Sequence, residues 1–168
     1  MEKSNLYLLI AIFAFVVLIG LYIGMGVRQI KFEQNCEGHL KRAADANSIE
    51  LAERELQTAL EYMWWKGYSK GYTSVIYRTP DEDVEFWYNN INSAYEELKS
   101  LPEDVTPLER TNVLMKLRET LTDEGETGVH ITYPKGICNF PHNKFYFWMR
   151  ALCYFMIILF GFGFLVEV

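Results

Sequence analysis

Two cysteine–histidine pairs are the residues of this chain whose types suit the binding of a metal ion. They are Cys36-x-x-His39 and Cys138-x-x-x-His142. Two cysteines with two histidines form a ligand set that Zn²⁺ accepts in structural sites, so zinc is the one cofactor to consider. The spacings are not those of a known zinc finger, and two other interpretations stay open. One is a Cys36–Cys138 disulfide on an oxidising side of a membrane. The other is unpaired thiols beside ordinary histidines.

Motifs for other chemistry are scarce. A P-loop indicates nucleotide binding, and H-E-x-x-H or Glu-x-x-His motifs indicate zinc or di-iron chemistry. The sequence has none of these motifs. The acidic run Asp81-Glu82-Asp83 lacks the spacing and the glycine of a calcium-binding loop. We therefore expect that the protein is not an enzyme.

Nearly all charged residues lie outside two apolar segments. Residues 6–27 carry no charge, and residues 145–166 carry only Arg150. Both segments have the length that an apolar helix needs to cross a bilayer, about 20 residues. No small-x-small cleavage site follows the first segment, which favours an uncleaved anchor over a signal peptide. The sequence predicts a tail (1–5), a first span (6–27), a soluble domain (28–144), a second span (145–166) and a short tail (167–168).

Features inside the two apolar segments indicate contacts made within a membrane. Gly20-x-x-x-Gly24 lets another helix approach closely. That helix is either the second span of the same chain or a helix of another membrane subunit. Arg150 lies one to two turns inside the second segment. It either extends towards the membrane interface or lines an ion path.

The charges that flank the two segments predict an orientation. Basic residues follow the first segment and precede the second: Arg28, Lys31, Lys41, Arg42, Lys135 and Lys144. The positive-inside rule then places the domain in the cytoplasm and both termini outside. The opposite orientation is the alternative, since the rule weakens for loops longer than about 60 residues. The domain has 14 basic and 20 acidic residues, a balance that argues against binding nucleic acid.

The domain between the segments reads as helical. A first helix is predicted from about Asn35 to Lys66, with a bend or fresh start near Asn47, which has capping-box spacing with Glu50. A third helix is predicted from Thr106 to about Leu121. Two extended segments, 72–78 and 128–133, are expected to pair as a small ribbon.

The second helix of the domain has a start signal and a clear packing face. Thr79 is the predicted N-cap, followed by Pro80 and an acidic first turn. Apolar residues then recur every three or four positions, the pattern of a helix that packs against another helix. The members of this face are Val84, Trp87, Ile91, Ala94, Leu98 and Leu101.

The overall prediction is a mainly α protein with two transmembrane helices flanking a small three-helix bundle. Its aromatic residues fill the core, and any left exposed mark a partner surface; they include Trp64, Trp65, Tyr68, Phe86, Trp87 and Tyr88.

The predicted function is non-enzymatic. The helical domain binds partners, as an accessory, assembly or regulatory subunit of a membrane complex. The partners are other membrane proteins or further copies of the chain, beside the lipid bilayer. One alternative is a homo-oligomeric channel or transporter with Arg150 in the path. A second is a membrane-tethered metal or redox protein that uses Cys36, His39, Cys138 and His142.

Overall fold

The computed structural model describes residues 2–102, 105–125 and 128–167, and it is mainly helical, as the sequence predicts. The helices are α1 (Glu2–Phe32), α2 (Gly38–Ala44), α3 (Ile49–Lys66), α4 (Val84–Lys99), α5 (Pro107–Leu121) and α6 (Asn143–Glu167). Two antiparallel strands, β1 (Thr122–Gly125) and β2 (Gly128–Ile131), form a short sheet.

Helices α1 and α6 are each long and apolar enough to cross a membrane. They pack antiparallel. Tyr7 in α1 contacts Phe160 near the end of α6, with ring centroids 5.8 Å apart. Further along, the Tyr22 and Tyr154 hydroxyls are hydrogen-bonded at 2.8 Å. Only 11% and 6% of the most apolar stretches of the two helices are buried inside the chain, unlike the core helices of a soluble protein.

On the face of α1 that packs against α6, the less exposed residues recur at alternating spacings of three and four positions. Such a repeat keeps one seam of a helix against its neighbour along the whole length. The less exposed positions of α1 that follow it are Ser4, Tyr7, Ala11, Ala14, Leu18, Leu21, Met25, Arg28 and Phe32.

Helix α1 runs into the domain without a break in helical backbone. A π-helical turn, Glu33–Glu37, joins it directly to α2. At 1.5 Å per residue the helical stretch of 42 residues spans about 60 Å, roughly twice the apolar thickness of a bilayer. Phe32 is fully buried at the entry to the domain, where its ring lies 5.1 Å from that of Tyr133. The first helix of the domain, α2, is therefore a direct continuation of the first apolar helix.

The predicted helix from Asn35 to Lys66 is divided into two. Helix α2 ends at Ala44 and α3 begins at Ile49, so the fresh start near Asn47 is confirmed. The capping residue, however, is Ser48, whose Oγ accepts a hydrogen bond from the Leu51 N–H at 3.2 Å. The fold-back lets α3 pack against α2, and α4 and α5 complete the bundle.

The sequence-based prediction for the start of α4 is wrong by four residues. Thr79 is followed by a short 3₁₀ turn, Pro80–Glu82, and the α-helix is capped by Asp83. The Asp83 carboxylate accepts hydrogen bonds from the N–H groups of Glu85 (2.9 Å) and Phe86 (3.1 Å). Thr79 instead donates its hydroxyl to the Glu82 carboxylate at 2.7 Å.

The predicted pairing of the two extended segments is also wrong. Strand β2 pairs with β1, its neighbour along the chain, and such a hairpin closes a short loop at little entropic cost. The segment 72–78 contributes only a bridge between Tyr72 and Asp83 within the described residues. That bridge holds Asp83 in an extended conformation, which explains why α4 cannot begin before it.

The α5 start follows its sequence signal. Thr106 and Glu109 form the reciprocal hydrogen bonds of a capping box, and Pro107 takes the first helical position.

We predict that Asp83→Ala lowers the free energy of unfolding by about 1 kcal/mol, because two N–H groups at the start of α4 lose their acceptor. The matched control is Asp81→Ala, which removes an exposed acid and is expected to change stability by less than about 0.5 kcal/mol. Denaturant unfolding of the detergent-solubilised chain, followed by tryptophan fluorescence, measures both. Equal losses for the two variants would contradict the assignment of the cap.

Candidate functional site

The two cysteines of the predicted metal set meet at the base of the domain. Cys36 lies in the π-helical turn after α1, and Cys138 lies in a 3₁₀ turn, Ile137–Asn139, shortly before α6. Both are buried free thiols. Burial raises the pKa of Cys138 to about 11 and that of Cys36 further. Negative charge on Cys138 would raise the Cys36 pKa again, so both thiols stay protonated at neutral pH.

The two histidines of that set have different surroundings, and His142 lines the same cavity as Cys138. His39 Nδ1 is 2.7 Å from the Glu55 carboxylate, and His142 is exposed beside a cavity. Among the described residues, no group of three or more His, Cys, Asp or Glu side chains is arranged to hold a metal ion. Zinc at Cys36, His39, Cys138 and His142 therefore stays a prediction.

Glu55 is a buried acid that the sequence interpretation missed. Its side chain is 4% exposed, and its second oxygen lies 2.8 Å from the Arg42 guanidinium. The signal was present, since Glu55 stands three residues after Ala52 and four before Ala59, on the apolar stripe of α3. With His39 and Arg42 both on α2, the carboxylate links α2 to α3 across the bundle.

The predicted packing face of α4 lies towards the rest of the domain. The Trp87 indole N–H donates to the Thr132 carbonyl oxygen at 2.8 Å, which links α4 to the segment after β2. Val84, Trp87, Ile91 and Leu98 are buried, and Ala94 and Leu101 are half-buried.

The aromatic residues of the domain divide into two groups. Tyr68 and Trp87 are buried and Tyr88 is half-buried. In contrast, Phe86, Trp64 and Trp65 expose 64%, 65% and 85% of their surface. Exposed aromatic rings of this size are candidates for contact with another molecule.

Phe86 separates two neighbouring depressions on one side of the domain. The larger has a volume of about 440 Å³, and Trp87, Ile91 and Leu121 are among its apolar lining residues. The smaller, of about 310 Å³, is lined by Tyr72 among others. We call these two depressions together the Phe86 groove.

The residues singled out in the apolar helices have different surroundings. A Cβ atom on Gly24 would lie 3.8 Å from the Tyr146 hydroxyl of α6, whereas Gly20 has no described neighbour within 4 Å. Gly24 therefore faces the second apolar helix of the same chain, and Gly20 does not. The Arg150 guanidinium lies 5.8 Å from the centre of the Tyr22 ring, a cation–π contact.

Gly67-Tyr68-Ser69-Lys70-Gly71 has the G-x-S-x-G pattern of a hydrolase nucleophile elbow, a signal that the non-enzyme prediction did not take into account. In that motif a strand leads into the serine and a helix follows it. Here helix α3 precedes the pattern and ends at Gly67, and an irregular segment follows. The first glycine adopts a left-handed conformation that ends the helix, so the pattern arises from helix termination.

No family model, curated protein or solved structure matches this chain.

We predict that Glu55→Ala lowers the free energy of unfolding by about 1–2 kcal/mol, because the hydrogen bond with His39 and the ion pair with Arg42, both between α2 and α3, are lost. Glu53→Ala is the matched control on the same helix. Glu53 makes no ion pair within the described structure, and the change is expected to stay within about 0.5 kcal/mol. Denaturant unfolding compares them, and a wild-type midpoint in Glu55→Ala would contradict the linking role.

We predict that Cys138 in the folded chain reacts with maleimide at pH 7.5 about a hundredfold more slowly than an exposed thiol, because its raised pKa suppresses the thiolate. Ser93→Cys, at an exposed position of α4, provides the reference rate. After unfolding without reductant, all three native thiols are expected to react. Unfolded chain that labels only at Cys153 would instead establish a Cys36–Cys138 disulfide.

Proposed function

We propose that the chain is an integral membrane protein with two spans, α1 and α6, whose helical domain binds another membrane protein. Its role is that of an accessory, assembly or regulatory subunit rather than an enzyme. The length and apolar surface of both helices support the two spans. Continuity of α1 with α2 supports a domain held at the membrane surface, within reach of the membrane-proximal parts of a partner.

The observation that carries the binding role is the exposure of Phe86 between two depressions. Phe86 exposes 64% of its surface. A partner that covers this ring would stabilise the complex by about 25 cal/mol per Å² of apolar surface removed from water. Trp87 and Tyr133 give the groove a largely apolar wall beside it. Aromatic anchors at the centre of an apolar patch are typical of the residues that dominate protein interfaces.

The charges around the groove suggest the chemistry of the partner. Asp81, Asp83, Lys135 and Arg78 line the groove. Two acidic and two basic side chains therefore surround the apolar wall, which favours a partner segment whose apolar side chain is flanked by charges of both signs.

A cytoplasmic domain is part of the proposal. The membrane-proximal end of the domain gathers Arg28, Lys31 and Lys66 around one cavity, which suits the anionic cytoplasmic leaflet.

A homo-oligomeric channel with Arg150 in its path is the second candidate. The cation–π contact of Arg150 with Tyr22 gives this arginine a role in packing α1 against α6, and therefore favours the binding role over the channel. Ion flux through liposomes that hold the purified chain, abolished by Arg150→Ala, would reverse this preference.

A photo-crosslinking amino acid at position 86 tests the binding role in native membranes. We predict that irradiation yields a discrete higher-mass species that contains an integral membrane protein. Phe86→Asp is expected to lose the same protein from mild-detergent purifications, since a buried unpaired carboxylate is costly.

Leu108 provides the control position. It exposes 71% of its surface on α5 and does not line the Phe86 groove. The crosslinker at Leu108, and the variant Leu108→Asp, should leave the partner uncaptured and its copurification unchanged. If both positions give the same products, or if neither does, the proposed partner surface is wrong.

A further inference from the structure

A second cavity lies where the domain meets the two apolar helices. Its volume is about 520 Å³. Its walls come from the end of α1, the end of α3, the segment before α6 and the first turn of α6. We call it the junction cavity, and its lining residues include Gly24, Arg28, Lys31, Tyr62, Trp65, Lys66, Tyr68, Phe140, His142 and Tyr146.

The junction cavity is basic in an otherwise acidic chain. Arg28, Lys31 and Lys66 line it together with His142, and no Asp or Glu is among its described lining residues. The chain as a whole has a net charge of −6. Three cations gathered in one concave site repel each other, so an anion bound among them would relieve that repulsion.

The cationic groups rest on aromatic rings instead of carboxylates. The Arg28 guanidinium lies 5.3 Å from the centre of the Tyr146 ring, and the Lys66 ammonium lies 5.7 Å from that of Tyr62. Within the described residues neither Arg28 nor Lys66 forms an ion pair. A ring contact leaves N–H donors unused, and such donors bind phosphate oxygens well.

The depth of the cavity matches that of lipid headgroups. Arg28 follows the uncharged segment 6–27 directly, and Tyr146 is the second residue of the segment 145–166 on the opposite helix. Both ends therefore reach the domain-side boundary of the proposed spans at the same level. Trp65 lines the cavity, and both Trp65 and its neighbour Trp64 are exposed. Exposed tryptophans are typical of the aromatic residues that gather at membrane interfaces.

We propose that the junction cavity binds the phosphate group of an anionic phospholipid headgroup, with Arg28 and Lys66 as the principal contacts. The phosphate oxygens accept hydrogen bonds from the guanidinium and the ammonium, and the aromatic wall packs against the glycerol part of the lipid. This inference rests on the two spans of the proposed function and is independent of the Phe86 groove.

Native mass spectrometry of the full-length chain in mild detergent tests the proposal. The chain is mixed with equal amounts of phosphatidylglycerol and phosphatidylcholine whose acyl chains differ in length, so that their adducts are resolved by mass. We expect the phosphatidylglycerol adduct to dominate. The double variant R28Q/K66Q should lower it at least about tenfold, while K66R, which keeps the charge, should retain it.

The matched control is K99Q/R110Q, which removes the same charge from exposed positions on α4 and α5, outside the junction cavity. It should leave the adduct unchanged, and circular dichroism should show the same helix content for all variants. Equal binding of the two lipids, or equal loss in both double variants, overturns the site. Displacement of the lipid by millimolar inorganic phosphate would assign the cavity to free phosphate and overturn the lipid.

Alkaline carbonate extraction of membranes separates this inference from the proposed function. A chain that resists extraction and lacks the lipid preference contradicts the junction cavity alone. A chain that carbonate releases contradicts the two spans, and the lipid site with them.

Discussion

The continuity of α1 with the domain is the constraint on which the rest of the structure depends. Because helical backbone runs from the apolar segment through the π-helical turn into α2, the domain inherits its direction from the first apolar helix. The same turn carries the buried Cys36. It also fixes the rotation of α2 about its axis relative to α1. Helix α3 must then fold back, and its last residues, Trp65 and Lys66, return to the end of α1. Both the Phe86 groove and the junction cavity follow from that arrangement.

An element could be predicted from the sequence where local signals alone determine its ends, and not where a contact with another segment overrides them. At α5, Thr106, Pro107 and Glu109 form a capping box, and among the described residues no other segment pairs with their backbone. At α4, Thr79 and Pro80 gave the same local signal. There the bridge between Tyr72 and Asp83 drew the backbone out of the helix, a contact between segments that no local pattern contains.

The site residues divide in the same way. The buried Glu55 could have been read from its position on the apolar stripe of α3, because three-four periodicity is a local property of the sequence. The proximity of Cys36 and Cys138 could be expected from their similar distances to the two apolar segments, nine residues after Val27 and seven before Phe145. The contact of His39 with Glu55 could not be expected, since it depends on how α2 and α3 rotate against each other. The position of Arg28 and Lys66 around one cavity could not be predicted either, because it depends on the tertiary packing of α3 beside α1.

The most direct test of the account is the sidedness of the chain. The native thiols are buried, so a variant that lacks all three receives a single exposed cysteine, at Asn5 or at Ser93. Intact and lysed cells are then treated with a membrane-impermeant maleimide. With two spans and a cytoplasmic domain between them, we expect labelling of Asn5→Cys in intact cells and of Ser93→Cys only after lysis. The same labelling pattern at both positions would place tail and domain on one side and contradict the account of two spans that hold a domain between them.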